Sequence, residues 1–134
     1  MIKVRNGVWE TNSSSVHSLI MCNNDDYKKL LAGELMISGY ELLDADRFVT
    51  RETAMTKLHE LYNENLRRFN YEYGIESFEE IENDKSLADE LLEREEIAYT
   101  LETYGGEEYE KFDDYFITDG GEKVWAFGYF GRDG

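Results

Sequence analysis

The chain has 134 residues, with 14 basic and 30 acidic side chains, and its formal net charge at pH 7 is −16. This length suits a single domain, and 41% hydrophobic and 14% aromatic residues are too many for a disordered acidic tail. The charge also argues against direct binding to nucleic acid or to an anionic membrane, because both depend on Lys and Arg.

The acidic excess lies in the second half of the chain. Residues 1–70 contain 10 acidic and 9 basic residues, whereas residues 71–134 contain 20 acidic and 5 basic residues. We therefore predict a single compact domain over residues 1–134, with a near-neutral half and a strongly acidic half. Such a charge distribution attracts basic surfaces.

Cysteine content and hydropathy predict where the protein works. Cys22 is the only cysteine, so no internal disulfide can form, as is usual in a reducing compartment. The first residues lack the apolar core of a signal peptide, and no run approaches 18 apolar residues. We expect a cytoplasmic protein of the bacterial host cytosol, without a membrane partner.

The first forty residues alternate short strands with one helix. We predict a strand or short hairpin at 2–9, a loop at 11–15, a strand at 16–22, a helix at 24–33 and a strand at 34–38. Asn24 or Asp25 is the expected cap of this helix, and Gly33 is its expected end.

Two helical regions follow in the middle of the chain. The first covers about 51–70, with Thr50 or Thr53 as N-cap, and its apolar residues recur at helical spacing: Ala54, Leu58, Leu61, Leu66 and Phe69. The second covers 77–96, where Ser77 and Glu80 resemble a capping box and Ser86 is placed to restart the helix after Asn83-Asp84. Its expected core residues are Ile81, Leu87, Leu91 and Leu92.

The last third of the sequence changes to a strand pattern. Residues 97–104, 112–118 and 123–130 are aromatic and β-branched and are separated by glycine turns, which predicts an antiparallel meander. The expected fold class is α+β: a single domain with an antiparallel sheet, N- and C-terminal strands, and two to three helices in the middle.

The acidic half is the strongest physical signal for a binding surface. Closely spaced carboxylates can imitate the phosphate array of nucleic acid toward a basic groove, and interleaved aromatic residues can anchor an interface. The alternative is a solvated surface that only keeps the protein soluble. The candidate partner-binding residues are Glu76, Glu79, Glu80, Glu82, Asp89, Glu90, Glu93, Glu95, Glu96, Glu107, Glu108, Asp113 and Asp114.

A second candidate site lies in the segment Glu10–Ser18, which reads ETNSSSVHS. On a strand, Ser13, Ser15 and His17 share a face, and a Ser–His pair can activate a hydroxyl nucleophile if a third group orients the His. A small enzyme with a Ser/His site at residues 13–17 is therefore an alternative. The same segment also suits a hydroxyl-rich turn that satisfies its own backbone.

Metal binding is a third hypothesis. The soft ligands are His17, Cys22 and His59, and the sequence contains neither CxxC nor HxxxH spacing. A zinc-stabilised interaction domain requires the fold to gather these residues with a carboxylate. No cofactor is required for a chain of this size to fold.

The ETNSSSVHS segment, close behind KVRNGVWE, resembles a group of small acidic proteins encoded by bacteriophages and mobile elements of Firmicutes-type bacteria. Their shared signature corresponds to Glu10, Thr11, Asn12, Ser13, Ser14, Ser15 and His17. The resemblance implies an anti-defence inhibitor of the anti-CRISPR type. Its implied partner is a basic nucleic-acid-binding protein such as a CRISPR effector nuclease. It implies no catalytic residue.

Overall fold

The computed structural model describes residues 16–42, 46–105 and 110–130, so the predictions for 2–9 and 11–15 lie outside the described residues. In chain order the elements are β1 (Val16–Asn23), α1 (Asn24–Ala32), β2 (Leu35–Ser38), a 3-10 turn (Tyr40–Leu42), β3 (Phe48–Thr50), α2 (Arg51–Glu64), α3 (Leu66–Tyr73), α4 (Phe78–Glu82), α5 (Lys85–Arg94), β4 (Ala98–Tyr99), β5 (Lys111–Ile117) and β6 (Lys123–Phe130). The predicted α+β class, with antiparallel strands from both ends of the chain and helices in the middle, is confirmed.

The contacts divide the chain into two compact units. One comprises Met1–Leu31 with Tyr104–Gly134, and the other comprises Ala32–Thr103. Each unit contains one three-stranded antiparallel sheet, ordered β1-β6-β5 in the first and β3-β2-β4 in the second. This division does not decide the prediction of a single domain, which stays a prediction.

In the first unit, α1 lies on one face of the sheet through an aromatic stack. The Tyr27 ring is parallel to the Trp125 ring, with centroids 4.0 Å apart, and its hydroxyl donates to Asp113 at 2.7 Å. The helix cap is Asn23, whose side-chain oxygen accepts the Asp26 N–H, so the expected caps Asn24 and Asp25 were wrong. Asn24 instead accepts a hydrogen bond from the Trp125 indole.

In the second unit, the core lies between the helices and the small sheet. Thr50 caps α2 by accepting the Thr53 N–H, as one of the two predicted caps. The expected helix over 51–70 is interrupted at Asn65, whose backbone N–H bonds the Tyr62 carbonyl and whose side chain bonds the Leu61 carbonyl. Because this break changes the helical phase, Leu66 is 53% exposed instead of facing the core. The other expected core positions of this region are buried or partly buried: Ala54, Leu58, Leu61 and Phe69.

The predicted second helical region forms α4 and α5. Ser77 is the N-cap of α4, in the predicted capping box with Glu80. The N-cap of α5 is Asp84, whose carboxylate accepts the Leu87 N–H, so the restart expected at Ser86 was wrong. Ile81, Leu91 and Leu92 are fully buried, as predicted. No helix among the described residues is long and apolar enough to cross a membrane.

The last third of the chain departs from the predicted meander at its first strand. β5 and β6 form the expected antiparallel hairpin. From the expected strand 97–104, only Ala98 and Tyr99 are in strand, and they pair with β2 in the other sheet. The reason is tertiary: Glu96 and Ile97 close a turn after α5 that directs the chain to β2, where Gly39 donates its N–H to the Ile97 carbonyl.

Candidate functional site

The acidic segment 76–96 presents most of its carboxylates on the solvent side of α4 and α5. Phe78 and Ile81 turn inward from α4, which leaves Glu79 and Glu82 exposed on its other side. In α5 the buried residues are Ala88, Leu91 and Leu92. Glu90 and Glu93 lie on the opposite side of α5, because successive residues of a helix turn by about 100°.

Two carboxylates of this segment, Glu80 and Asp84, accept hydrogen bonds from backbone amides at the starts of α4 and α5. The Glu80 side chain accepts the backbone N–H groups of Glu76 and Ser77, at 2.6 and 2.9 Å. Asp84 accepts the Leu87 N–H at 3.1 Å. Both side chains satisfy backbone amides at a helix start that have no partner within the helix.

Glu95 is held by a second network within the same unit. Arg68 donates to its two carboxylate oxygens at 2.6 and 2.9 Å, and the Tyr73 hydroxyl donates to one of them at 2.6 Å. The Glu95 side chain is only 9% exposed. The hydrogen bonds from Arg68 lower the pKa of Glu95, whereas burial and the bond to Glu95 raise the pKa of Tyr73 to about 12.

Two further carboxylates of the segment lie against arginines. Asp89 accepts from Arg51 at 2.6 Å, and Glu90 lies 3.6 Å from Arg94, one helical turn away. The first pair is less than a quarter exposed on both sides, and the second is more than half exposed. The second pair contributes little because it is solvated.

The candidate acids outside this segment have other surroundings. Asp113 accepts the hydrogen bond from Tyr27, and burial with that bond raises the pKa of the tyrosine. Asp114 accepts the backbone N–H of Tyr115 at 2.8 Å. Glu107 and Glu108 lie outside the described residues.

A smaller group of carboxylates has no partner among the described contacts. These side chains are exposed or half-buried and none has an ion pair or side-chain hydrogen bond among the described contacts; we call them the open acidic set: Glu76, Glu79, Glu82, Glu93 and Glu96. Sequence alone could not separate them from Asp89 and Glu95, because the partners of those two residues, Arg51 and Arg68, lie on other helices. Glu80 was separable, since its capping box with Ser77 is a local pattern.

Glu96 has the most unusual backbone of the set. Its φ of 57° is the only positive value at a non-glycine position among the described residues. It occupies the left-handed position after α5, where the Glu96 and Ile97 N–H groups bond the carbonyls of Glu93 and Leu92. Glycine is the usual residue at this position of a helix end.

Two of the three metal candidates, Cys22 and His59, have described side chains. Cys22 is buried. Its burial, and to a smaller extent the negative charge of Asp26, raises the pKa of the thiol to about 11, which disfavours the thiolate that binds metals. His59 is exposed and stacks on Phe78, with ring centroids 4.1 Å apart. No group of three or more His, Cys, Asp or Glu side chains suited to a metal occurs in the described part of the chain.

The family signature at 10–15 lies outside the described residues, and so does the side chain of His17, although its backbone belongs to β1. The Ser/His hypothesis therefore stays a prediction.

An open groove of about 470 Å³ runs along the outer side of α2. Glu52, Lys57 and Glu60 line it with hydroxyl side chains. The Thr50 hydroxyl is already used in capping α2, and Thr56 donates to the Glu52 carbonyl. The mixture of charges favours no single class of ligand.

Comparison with known proteins gives no relative: no family model, curated protein or solved structure matches this chain.

Proposed function

We propose that this protein is a non-enzymatic inhibitor that binds a basic surface of a nucleic-acid-handling protein and blocks its access to nucleic acid. The open acidic set is the observation that carries the proposal. In this set, five carboxylates within 21 residues have no internal cation among the described contacts. A partner that supplies Lys and Arg would neutralise them.

The ion-paired arginines of the second unit support this assignment. Arg51, Arg68 and Arg94 are each in contact with a carboxylate of their own chain. Their positive charge is therefore largely compensated locally, and the field of the open acidic set is not cancelled by them. Such a field accelerates association with a positively charged partner and weakens as salt is added.

The resemblance of residues 10–18 supports a choice of target. Anti-CRISPR proteins of the implied kind occupy the nucleic-acid channel or another surface of an effector nuclease. A CRISPR effector nuclease is therefore the partner to test first, in the host cytosol where both would meet.

The test compares two triple variants with the same change in net charge. Glu79→Lys, Glu82→Lys and Glu93→Lys reverse the open acidic set without touching a helix cap or the Arg68 network. The control reverses three exposed acids elsewhere: Glu64→Lys, Asp119→Lys and Glu122→Lys. The readouts are affinity for the nuclease and inhibition of its cleavage, measured at several NaCl concentrations.

We expect the first variant to lose about 10- to 100-fold in affinity at low salt and the control to stay within about threefold of the wild type. Equal effects of the two variants would show that only net charge matters. Binding that does not change with salt would rule out the electrostatic mechanism. Glu80 and Glu95 are unsuitable for this test, since their reversal would also weaken folding.

A further inference from the structure

The hairpin of β5 and β6 carries a lysine whose ammonium group lies over two aromatic rings. The Nζ atom of Lys123 is 4.3 Å from the centroid of the Tyr115 ring and 4.9 Å from that of the Trp125 ring. All three side chains are half-buried. Lys123 has no ion pair among the described contacts, although the chain has 30 acidic and 14 basic residues. Rings, and not a described carboxylate, therefore hold this cation.

The pairing of the two strands brings these side chains together. Tyr115 lies opposite Trp125, and Ile117 lies opposite Lys123, so the lysine is the diagonal neighbour of Tyr115 on the same face of the sheet. We call Tyr115 and Trp125 the ring pair. Its ring planes are inclined at 50°, with centroids 5.2 Å apart. A compact cation can contact the faces of two rings inclined in this way at the same time.

The ring of Trp125 is held by contacts that do not involve Lys123. The Tyr27 ring covers one face of the indole at 4.0 Å, so the ammonium group lies over the other face. The indole N–H donates to Asn24 at 2.9 Å, and the Tyr27 hydroxyl donates to Asp113 at 2.7 Å. These contacts keep the indole in place if the lysine leaves. The second face of the indole is therefore preorganised for a cation.

Lys123 is itself an occupant that is easily displaced. It is the first residue of β6, directly after the turn in which Thr118 donates its N–H to the Glu122 carbonyl at 2.9 Å. Its side chain has a flexible four-carbon stem, and a cation over rings at a partly exposed site is weakly held. Displacing it breaks no ion pair among the described contacts.

We propose that the ring pair binds the ammonium group of a lysine side chain presented by another protein, and that Lys123 fills this site until the partner displaces it. The cation that the rings hold in this structure, an ammonium group, identifies the occupant. A planar guanidinium group can lie flat on only one of two rings inclined at 50°. A chain of charge −16 also attracts a partner that carries exposed lysines.

The proposal does not depend on the open acidic set. The ring pair belongs to the compact unit that contains residues 104–134, whereas the five carboxylates belong to the other unit. The ring pair can therefore be tested with a peptide and without a nuclease. Failure of one proposal leaves the other standing.

The first test uses Lys123→Ala, which removes the chain's own ammonium group and keeps both rings. NMR follows the Trp125 indole N–H while the blocked peptide acetyl-Gly-Lys-Gly-amide is added at constant ionic strength. We expect a saturable shift, with a midpoint at about three- to sixfold lower peptide concentration than in the wild type, because the peptide no longer competes with Lys123. Equal midpoints in the two proteins, or no saturable shift below about 200 mM peptide, overturn the proposal.

Matched probes test the charge and the shape of the ligand. The same peptide with an acetylated lysine keeps the alkyl stem without the charge and should give no saturable shift. The peptide with arginine in place of lysine should bind more weakly. An equal or stronger response to either peptide overturns the choice of an ammonium group. Binding of free n-butylammonium without binding of the lysine peptide would show a site for small amines and overturn the protein partner.

A second variant tests the ring pair itself. Adding Tyr115→Leu to Lys123→Ala removes one ring and keeps an apolar side chain on β5. This double variant should lose the saturable response to the lysine peptide, since one ring alone provides only half of the contact. An unchanged response would place the peptide elsewhere and overturn the site.

A measurement on the wild type does not require any variant to fold. The methylene protons next to the Lys123 Nζ atom lie close to the two rings, so ring currents shift their NMR signals upfield. The lysine peptide should return these signals toward ordinary lysine positions in step with the shift of the Trp125 indole. A Trp125 shift with unchanged Lys123 signals would overturn the displacement.

Discussion

Replacing Glu95 by Gln removes the charge that Arg68 binds through two hydrogen bonds while it preserves the size of the side chain. Losing one partner of a buried ion pair costs about 3–5 kcal/mol. Arg68 is 35% exposed, so solvent screening reduces this loss, and we expect about 1.5–2.5 kcal/mol for Glu95→Gln. For a chain of this length that corresponds to a fall in Tm of about 5–9 °C.

The pH dependence of this difference has a defined sign. Folding lowers the pKa of Glu95, so its charged form stabilises the folded state fully above the unfolded-state value of about 4.3. The stabilisation is lost as the pH falls through the lower folded-state pKa. The difference in unfolding free energy between wild type and Glu95→Gln should therefore shrink below about pH 4 and be constant near neutrality.

Urea unfolding at several pH values measures both effects. The matched control is Glu93→Gln. It removes the same charge two positions earlier, from a side chain that has no described partner, and should lower the free energy of unfolding by less than about 0.5 kcal/mol. A double-mutant cycle with Arg68→Gln should give a coupling of about 1–2 kcal/mol. A coupling near zero, or equal effects of the Glu95 and Glu93 variants, would refute the reasoning.

Three further predictions concern stability and are checked by the same unfolding assay. Glu96→Gly should raise the unfolding free energy by about 1 kcal/mol, because glycine adopts the φ of 57° without strain, and a loss would contradict the helix-end assignment. Gly39→Ala should destabilise the protein by about 2 kcal/mol or more, because the added Cβ would overlap the Glu96 carbonyl oxygen; a neutral result would contradict that close approach. Tyr27→Phe should cost about 1–1.5 kcal/mol by removing the bond to Asp113, with the aromatic stack preserved, and an unchanged stability would show that this bond is replaced by solvent.

Local sequence signals identified the elements that depend on neighbouring residues. Three of them were predictable because each depends on residues within a few positions. They are the capping box of Ser77 and Glu80, the Thr50 cap, and the strand β1. The break at Asn65 was not predictable from periodicity. The apolar spacing continues across it, and the interruption depends on hydrogen bonds that the Asn65 backbone and side chain make to the preceding turn.

For the candidate site, composition predicted an acidic surface but not which carboxylates are available. Glu95 and Glu96 are adjacent and chemically identical in sequence. The structure places the first against Arg68, 27 positions away, and leaves the second exposed at the end of α5. Only long-range contacts can make that distinction, because a charge is available to a partner when its own fold does not compensate it.

The net charge of −16 and its concentration after residue 70 follow from the sequence by itself, as do the α+β class and the starts of α2 and α4. The tertiary structure decided the pairing of the strands. It sent Ala98 and Tyr99 to β2 and left the uncharged strand β1 at an edge. Strand pairing joins residues that are far apart in the chain, so no local pattern specifies it, and the open acidic set likewise depends on which carboxylates are compensated by distant arginines.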